Sequence, residues 1–174
     1  MSELTDFLDK QSDDRGVMAA LRCALTPSQE ARAWPYLAAF GGIGSDHKAE
    51  VVRTVAGLYA ACHKPDIRQG GSVGSVCREL CSGDENPGTL VSSLRDPAPQ
   101  PGPMARKFAY LLNADRSEIC GRVIRTAVFA RSKGLEPDYE TLERDLLFWP
   151  RAREAWAKDF WGRKTEAGEE AEKK

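Results

Sequence analysis

Apolar residues recur every three or four positions along most of this chain, and no run of four to eight residues alternates apolar with polar. A period near 3.6 places one stripe of a helix against a core, whereas a half-buried strand needs a period of two. The expected fold is therefore all-α. A first helix is expected from about Arg15 to Leu25, with Val17, Ala20, Leu21, Ala24 and Leu25 on its apolar stripe. Ser12, Asp13 or Asp14 is placed to cap it. Residues 27–40 divide into two short pieces, because Pro27 suits a helix start while Pro35 would remove a hydrogen bond from a helix interior. After Gly41, Gly42 and Gly44, a long core helix runs from Ser45 to about Cys62, with Val51, Val52, Val55, Leu58, Tyr59 and Cys62 on one face. Ser72 then caps a shorter helix whose buried stripe is Val73, Val76, Cys77 and Leu80.

Residues 83–103 hold five prolines and three glycines, so a long loop is expected there, with room for a turn or two over 89–94. Met104 to Ala114 forms the next helix, with Phe108, Leu111 and Leu112 inward. Asp115-x-x-Glu118 has the form of a capping box for another, which ends at Gly134. A further helix starts at Asp138 and aligns Leu142, Leu146 and Trp149; the last follows Pro150 and repeats Ala152, Trp156 and Phe160 every four residues. The sum is a single-domain helical bundle of about seven to nine helices over residues 15–161, with two halves joined by loop 83–103 as one possible arrangement. An acidic segment, 1–14, precedes it, and a charged tail, 162–174, follows with no apolar stripe and is expected to be disordered.

Length and composition agree with this. A chain of 174 residues, 41% hydrophobic and 29% charged, can bury one real core, and it contains no apolar run near the ~20 residues that span a bilayer. No membrane association is expected. The acidic start lacks the basic and apolar regions of a secretory signal, which implies a cytoplasmic protein whose five cysteines stay reduced.

Charge changes the picture, because it is segregated. The total is −1, yet residues 101–135 carry Arg106, Lys107, Arg116, Arg122, Arg125, Arg131 and Lys133 against only Asp115 and Glu118, a local net of +5. A field of that sign attracts phosphate. On a helical wheel Ile119, Cys120, Val123, Ile124 and Ala127 share one face while Arg122 and Arg125 project from the other, so both arginines are expected to reach solvent. An ordinary solvated face has the same pattern; here only Glu118 is near enough to neutralise it, and Arg106 and Lys107 arrive from the preceding helix. Such a cluster can engage successive phosphates without reading sequence.

Other constellations are weaker. Gly70-Gly71-Ser72-Val73-Gly74 followed by Arg78 offers N–H groups to an anion, but it lacks the Gly-Lys-Ser/Thr ending of a nucleotide loop. Cys62, His63, Cys77 and Cys81 do not have zinc-knuckle spacing and read as buried thiols, so no metal or other cofactor is expected. His47 and His63 have no nucleophile pattern beside them, and Asp138, Glu140, Glu143 and Asp145, with Arg144 between, read as surface charge. No enzymatic activity is expected. Trp149, Trp156 and Phe160 lie on apolar stripes and read as core, with Trp161 off the stripe.

Taken in order, the motifs resemble the CasB family, the small subunit of the type I-E CRISPR effector complex Cascade. The residues that carry the likeness are Arg15-Gly16-x-x-Ala19-Ala20-Leu21-Arg22, Trp34-Pro35-Tyr36-Leu37, Leu58-Tyr59-Ala60 with His63, and Gly71-Ser72-x-Gly74 with Arg78. They continue through Arg106-Lys107-Phe108-x-x-Leu111-Leu112-x-Ala114-Asp115 and Asp138-Tyr139-x-x-Leu142, with Asp145-Leu146-x-x-Trp149, to Trp156-Ala157-Lys158-Asp159-Phe160-Trp161. The resemblance implies a non-catalytic helical subunit, present in two copies, that touches the backbone subunits coating the guide RNA and the large subunit that recruits target DNA. Basic residues would support the RNA–DNA heteroduplex and the displaced strand, since base pairing already reads the sequence. Arg15, Arg22, Arg78, Arg106 and Lys107 sit on motif positions, and Arg122 and Arg125 lie on the basic helix that follows. The chain departs from the family at Cys23, where a second basic residue is common, and in a longer proline-rich stretch over 95–103. A helical adaptor that binds only protein is the alternative reading.

Overall fold

Hydrogen-bond closure within local segments accounts for nearly all the regular structure. The computed structural model describes residues 2–81 and 102–162, and these contain nine α-helices. They are α1 (Glu3–Gln11), α2 (Arg15–Arg22), α3 (Trp34–Leu37), α4 (His47–Cys62), α5 (Val73–Glu79), α6 (Pro103–Leu112), α7 (Ile119–Arg131), α8 (Tyr139–Leu147) and α9 (Ala152–Trp161). The fold is all-α in a single domain, as the apolar period predicts. Loop residues 83–101, with the turn over 89–94, and tail residues 163–174 lie outside the described residues. Pro103, assigned to the loop by composition, is instead the first residue of α6, where its missing N–H costs nothing.

Side-chain N-caps start three helices where expected, whereas the helices expected to reach Leu25, Ala114 and Gly134 end two or three residues earlier, at Arg22, Leu112 and Arg131. Asp14, Ser72 and Asp138 each accept a hydrogen bond from the first turn of α2, α5 and α8. Asp115 behaves differently from a reciprocal capping box: its Oδ1 accepts from the N–H groups of Ser117 at 2.8 Å and Glu118 at 3.0 Å, while the Glu118 side chain turns away to Arg122. Residues 27–40 form three short pieces rather than two, the α3 turn flanked by 3₁₀ turns Glu30–Arg32 and Ala38–Phe40.

Two elements were not foreseen. The acidic N-terminal segment forms α1, whose Leu4 and Leu8 are buried against the core. A parallel pair of two-residue strands, β1 (Arg68–Gln69) and β2 (Leu135–Glu136), ties the segment after α4 to the segment after α7. Two residues are too few for alternation to register in sequence.

The centre of the molecule is α4. It was expected to bury one face, but α1, α2, α7 and α8 pack around it and bury Arg53, Thr54, Ala56 and Gly57 as well. Arg53 is tolerable inside because its guanidinium donates to the carbonyls of Gly42 at 2.9 Å and Gly44 at 2.7 Å and pairs with Glu30 at 3.2 Å. One apolar cluster runs from Leu4 to Phe160 and draws on both sides of segment 83–103. Trp149 and Trp156 are fully buried in it, their ring centroids 4.9 Å apart. Each indole N–H is satisfied, by the Ala114 carbonyl at 3.0 Å and by Asp145 Oδ2 at 2.6 Å. Trp161 is half-buried, edge-on to Phe108 and Phe160. Where α5 crosses α9, Gly74 meets the Trp156 backbone so closely that a Cβ would collide with its carbonyl.

Candidate nucleic-acid interface

Helical spacing assembles the first basic group. Arg15, Met18 and Arg22 fall three and four residues apart on α2 and line one wall of a cleft of about 570 Å³. Tyr59, Ala60, Ala61, His63 and Lys64, at the end of α4, line the other, and Arg131 closes it from the last turn of α7. Lys64 and Arg131 were not among the candidate site residues. Arg131 belongs to the basic stretch 101–135 and Lys64 lies outside it, but neither is singled out by its neighbours in sequence, because the cleft exists only where α2, α4 and α7 converge.

The lining carries four permanent cations and no carboxylate. None of Arg15, Arg22, Lys64 and Arg131 forms an ion pair with a described residue. Arg22 spends one group, donating from Nε to the Ala60 carbonyl at 3.1 Å, near the electronegative end of α4. Beneath the cations, Tyr59 donates to Asp9 Oδ1 at 2.7 Å and stacks on the His63 ring at 4.5 Å. His63 Nδ1 lies 2.8 Å from Glu136 Oε1, and Tyr139 donates to the other oxygen at 3.2 Å. Burial raises the Glu136 carboxyl above its ordinary pKa, and the His63 and Tyr139 contacts oppose that rise. The floor is thus a closed polar network, and the cations above it face the void.

The second group lies between α6 and α7. Lys107, Arg122, Arg125 and the aromatic rings of Tyr110 and Phe129 line a mostly apolar hollow of about 260 Å³. Here the expectation for Arg122 fails. Its guanidinium lies 3.8 Å from the Tyr110 ring centroid, donates to the Tyr110 carbonyl and pairs with Glu118 at 2.5 Å, leaving its side chain 10% exposed. The wheel gave its direction from the α7 axis correctly, but α6 presents a tyrosine in that direction. Arg125 does reach solvent. Lys107 is exposed and rests over the Phe129 ring at 4.6 Å, and Arg106 is exposed on α6 without lining either hollow.

Arg78 and the glycine-rich helix start are also engaged. Ser72 Oγ accepts from Ser75 N–H at 3.2 Å and donates to Asp159 Oδ2 at 2.5 Å, so the chain's own carboxylate lies beside the electropositive end of α5. Arg78 donates to the Gly162 carbonyl and more weakly to that of Asp159 at 3.4 Å, closing the end of α9. Cys62, His63, Cys77 and Cys81 have separate fates: His63 meets Glu136, Cys81 donates to the Cys77 carbonyl at 3.6 Å, and burial pushes the Cys77 thiol up to about 12. All five cysteines are free thiols. No helix among the described residues is long and apolar enough to cross a membrane.

A family model described as CRISPR-associated protein Cse2 matches residues 17–161. Among solved structures, CasB from Thermus thermophilus is similar with a TM-score of 0.63 and 27% identity, over 94% of this chain and 100% of that one. A second structure from Thermus thermophilus, of a CRISPR-associated protein of the Cse2 family, is similar with a TM-score of 0.62 and 26% identity, over the same 94% and 100%. No curated protein sequence matches the chain.

Proposed function

The chain belongs to the Cse2 family of CRISPR-associated proteins, and from that membership we propose that it serves as the small, non-catalytic subunit of a type I-E Cascade, holding nucleic acid by its backbone. The partners are the guide RNA, the target DNA with its displaced strand, the backbone and large subunits, and a second copy of the chain. The observation that carries the reading is the α2–α4–α7 cleft, where four cations meet with no lining carboxylate to neutralise them. Cations so placed gain more from phosphate than from water because counterions are released on binding. Arg15, Arg22, Lys64 and Arg131 form the primary contact, and the exposed Arg106, Lys107 and Arg125 extend it. Arg78 and Arg122 hold α9 and the α6–α7 contact in place and act on nucleic acid through that geometry.

A salt titration tests this. With a single-stranded oligonucleotide, four phosphate contacts give a slope of log affinity against log salt of about −3. A slope near zero, with retention of the chain in an assembled complex, would instead favour the adaptor that touches only protein.

A further inference from the structure

His47 and Glu50 lie three residues apart in the first turn of α4, and Cys120 opens α7, which packs across it. One ligand-capable atom from each side chain falls within 4.8 Å of the others. The imidazole is already oriented. Its Nε2 lies 2.8 Å from the Leu146 carbonyl, which can only accept, so Nε2 carries a proton and in the neutral imidazole the lone pair is on Nδ1. Nδ1 is buried and has no hydrogen-bond partner. A buried nitrogen with an unused lone pair is costly, and its best partners are a donor or a cation. We propose that His47, Glu50 and Cys120 form a divalent-metal site, with zinc as the ion their chemistry selects.

The donor set is nitrogen, oxygen and sulfur, which suits a borderline cation better than magnesium or calcium, both of which prefer oxygen alone. Three protein ligands leave a fourth tetrahedral position for water. Zinc–ligand bonds of about 2.0–2.3 Å place ligand atoms about 3.3–3.8 Å apart, so the group closes slightly on loading. The Leu146 carbonyl supplies the outer hydrogen bond that metal-bound histidines normally have. Burial, and after it the Glu50 carboxylate, push the Cys120 thiol up to about 12, and the Thr54 hydroxyl contact and the Arg53 charge offset that rise only in part, so the metal itself has to displace the thiol proton. On binding, the Cys120 S–H bond breaks, a sulfur–metal bond forms, and the proton leaves to solvent; nothing is oxidised or reduced. The ion would fasten the first turn of α4 to the first turn of the helix that carries Arg122 and Arg125, adjacent to α8.

Cobalt is the probe for the test. The full chain, freed of metal by a chelator and titrated with Co²⁺, is expected to bind one equivalent with a sulfur-to-cobalt charge-transfer band and tetrahedral d–d bands, and Zn²⁺ should displace it. Cys120→Ser should abolish the charge-transfer band and His47→Gln should lower affinity at least about tenfold. No thiolate band in the wild type, or an undiminished band in Cys120→Ser, overturns the site, the latter assigning the sulfur to one of Cys23, Cys62, Cys77 or Cys81. If Cys120→Ser does not fold, Glu50→Gln decides. This half-buried side chain can be replaced without opening a cavity, so weakened Co²⁺ binding supports the site and unchanged binding overturns it.

Discussion

Arg22 and Arg122 are chemically the same side chain, each donating to a backbone carbonyl near a helix end. Arg22 gives one nitrogen to Ala60 and stands exposed at the mouth of a cleft with Arg15, Lys64 and Arg131. Arg122 is covered by the Tyr110 ring, paired with Glu118 and 10% exposed. The difference teaches that a run of positive charge counts potential contacts and the neighbouring helix decides which remain available. Segment 101–135 holds the densest basic sequence, yet its central arginine serves packing. The cleft takes only Arg131 from that segment and its other three cations from two distant stretches of chain, and all four line a void.

Charge reversal in the cleft should break the comparison most strongly. Arg15→Glu combined with Arg131→Glu is expected to weaken oligonucleotide binding about a hundredfold at low salt and to flatten the salt slope by about 1.4, because two single-strand contacts are lost. Both side chains are exposed, so thermal melting should barely move. Retained affinity with an unchanged slope would remove the cleft from the interface.

A matched pair of alanine variants sharpens it. Arg122→Ala should cost about 1–2 kcal/mol of stability, through the lost ring contact, ion pair and carbonyl hydrogen bond, and change affinity less than about threefold. Arg22→Ala should do the reverse, losing about tenfold in affinity and under about 1 kcal/mol in stability. Denaturant unfolding and fluorescence anisotropy on the same two proteins read both quantities. Equal affinity losses would erase the distinction between facing a void and facing a ring.

The smallest effect concerns the network under the cleft. Burial raises the Glu136 pKa above its ordinary 4.5, so its protonated form is favoured in the fold. Its contribution to stability is present below that ordinary value and declines as pH rises through the raised one. Glu136→Gln cannot titrate, so the stability of the wild type relative to this variant should fall with increasing pH across that window. A difference that is flat or rises with pH would mean that the His63 and Tyr139 contacts outweigh desolvation.

Much of the fold was legible in the chain. The helix cores, the caps at Asp14, Ser72 and Asp138 and the buried tryptophans follow from spacing and from side chains that reach their own backbone. Helix α1 escaped because its few apolar residues, Leu4, Phe7 and Leu8, are set among acids that read as a solvated segment. The interior position of Arg53 escaped because a charged residue is credited to the surface until carbonyls from a distant turn are seen to meet it. Of the candidate contacts, Arg15, Arg22, Arg106, Lys107 and Arg125 are exposed, while Arg78 and Arg122 are engaged within the chain.

The division has a physical origin. A helix closes its hydrogen bonds four residues away, and an apolar stripe repeats within two turns, so a linear sequence contains what is needed to place helices, ends and inward faces. Whether a cation meets water, a ring or a carboxylate depends on residues far along the chain, brought near only when helices pack. The all-helical bundle and its family likeness were therefore in the sequence. The Arg15–Arg22–Lys64–Arg131 cleft, the covered Arg122 and the meeting of His47, Glu50 and Cys120 were decided by the tertiary structure.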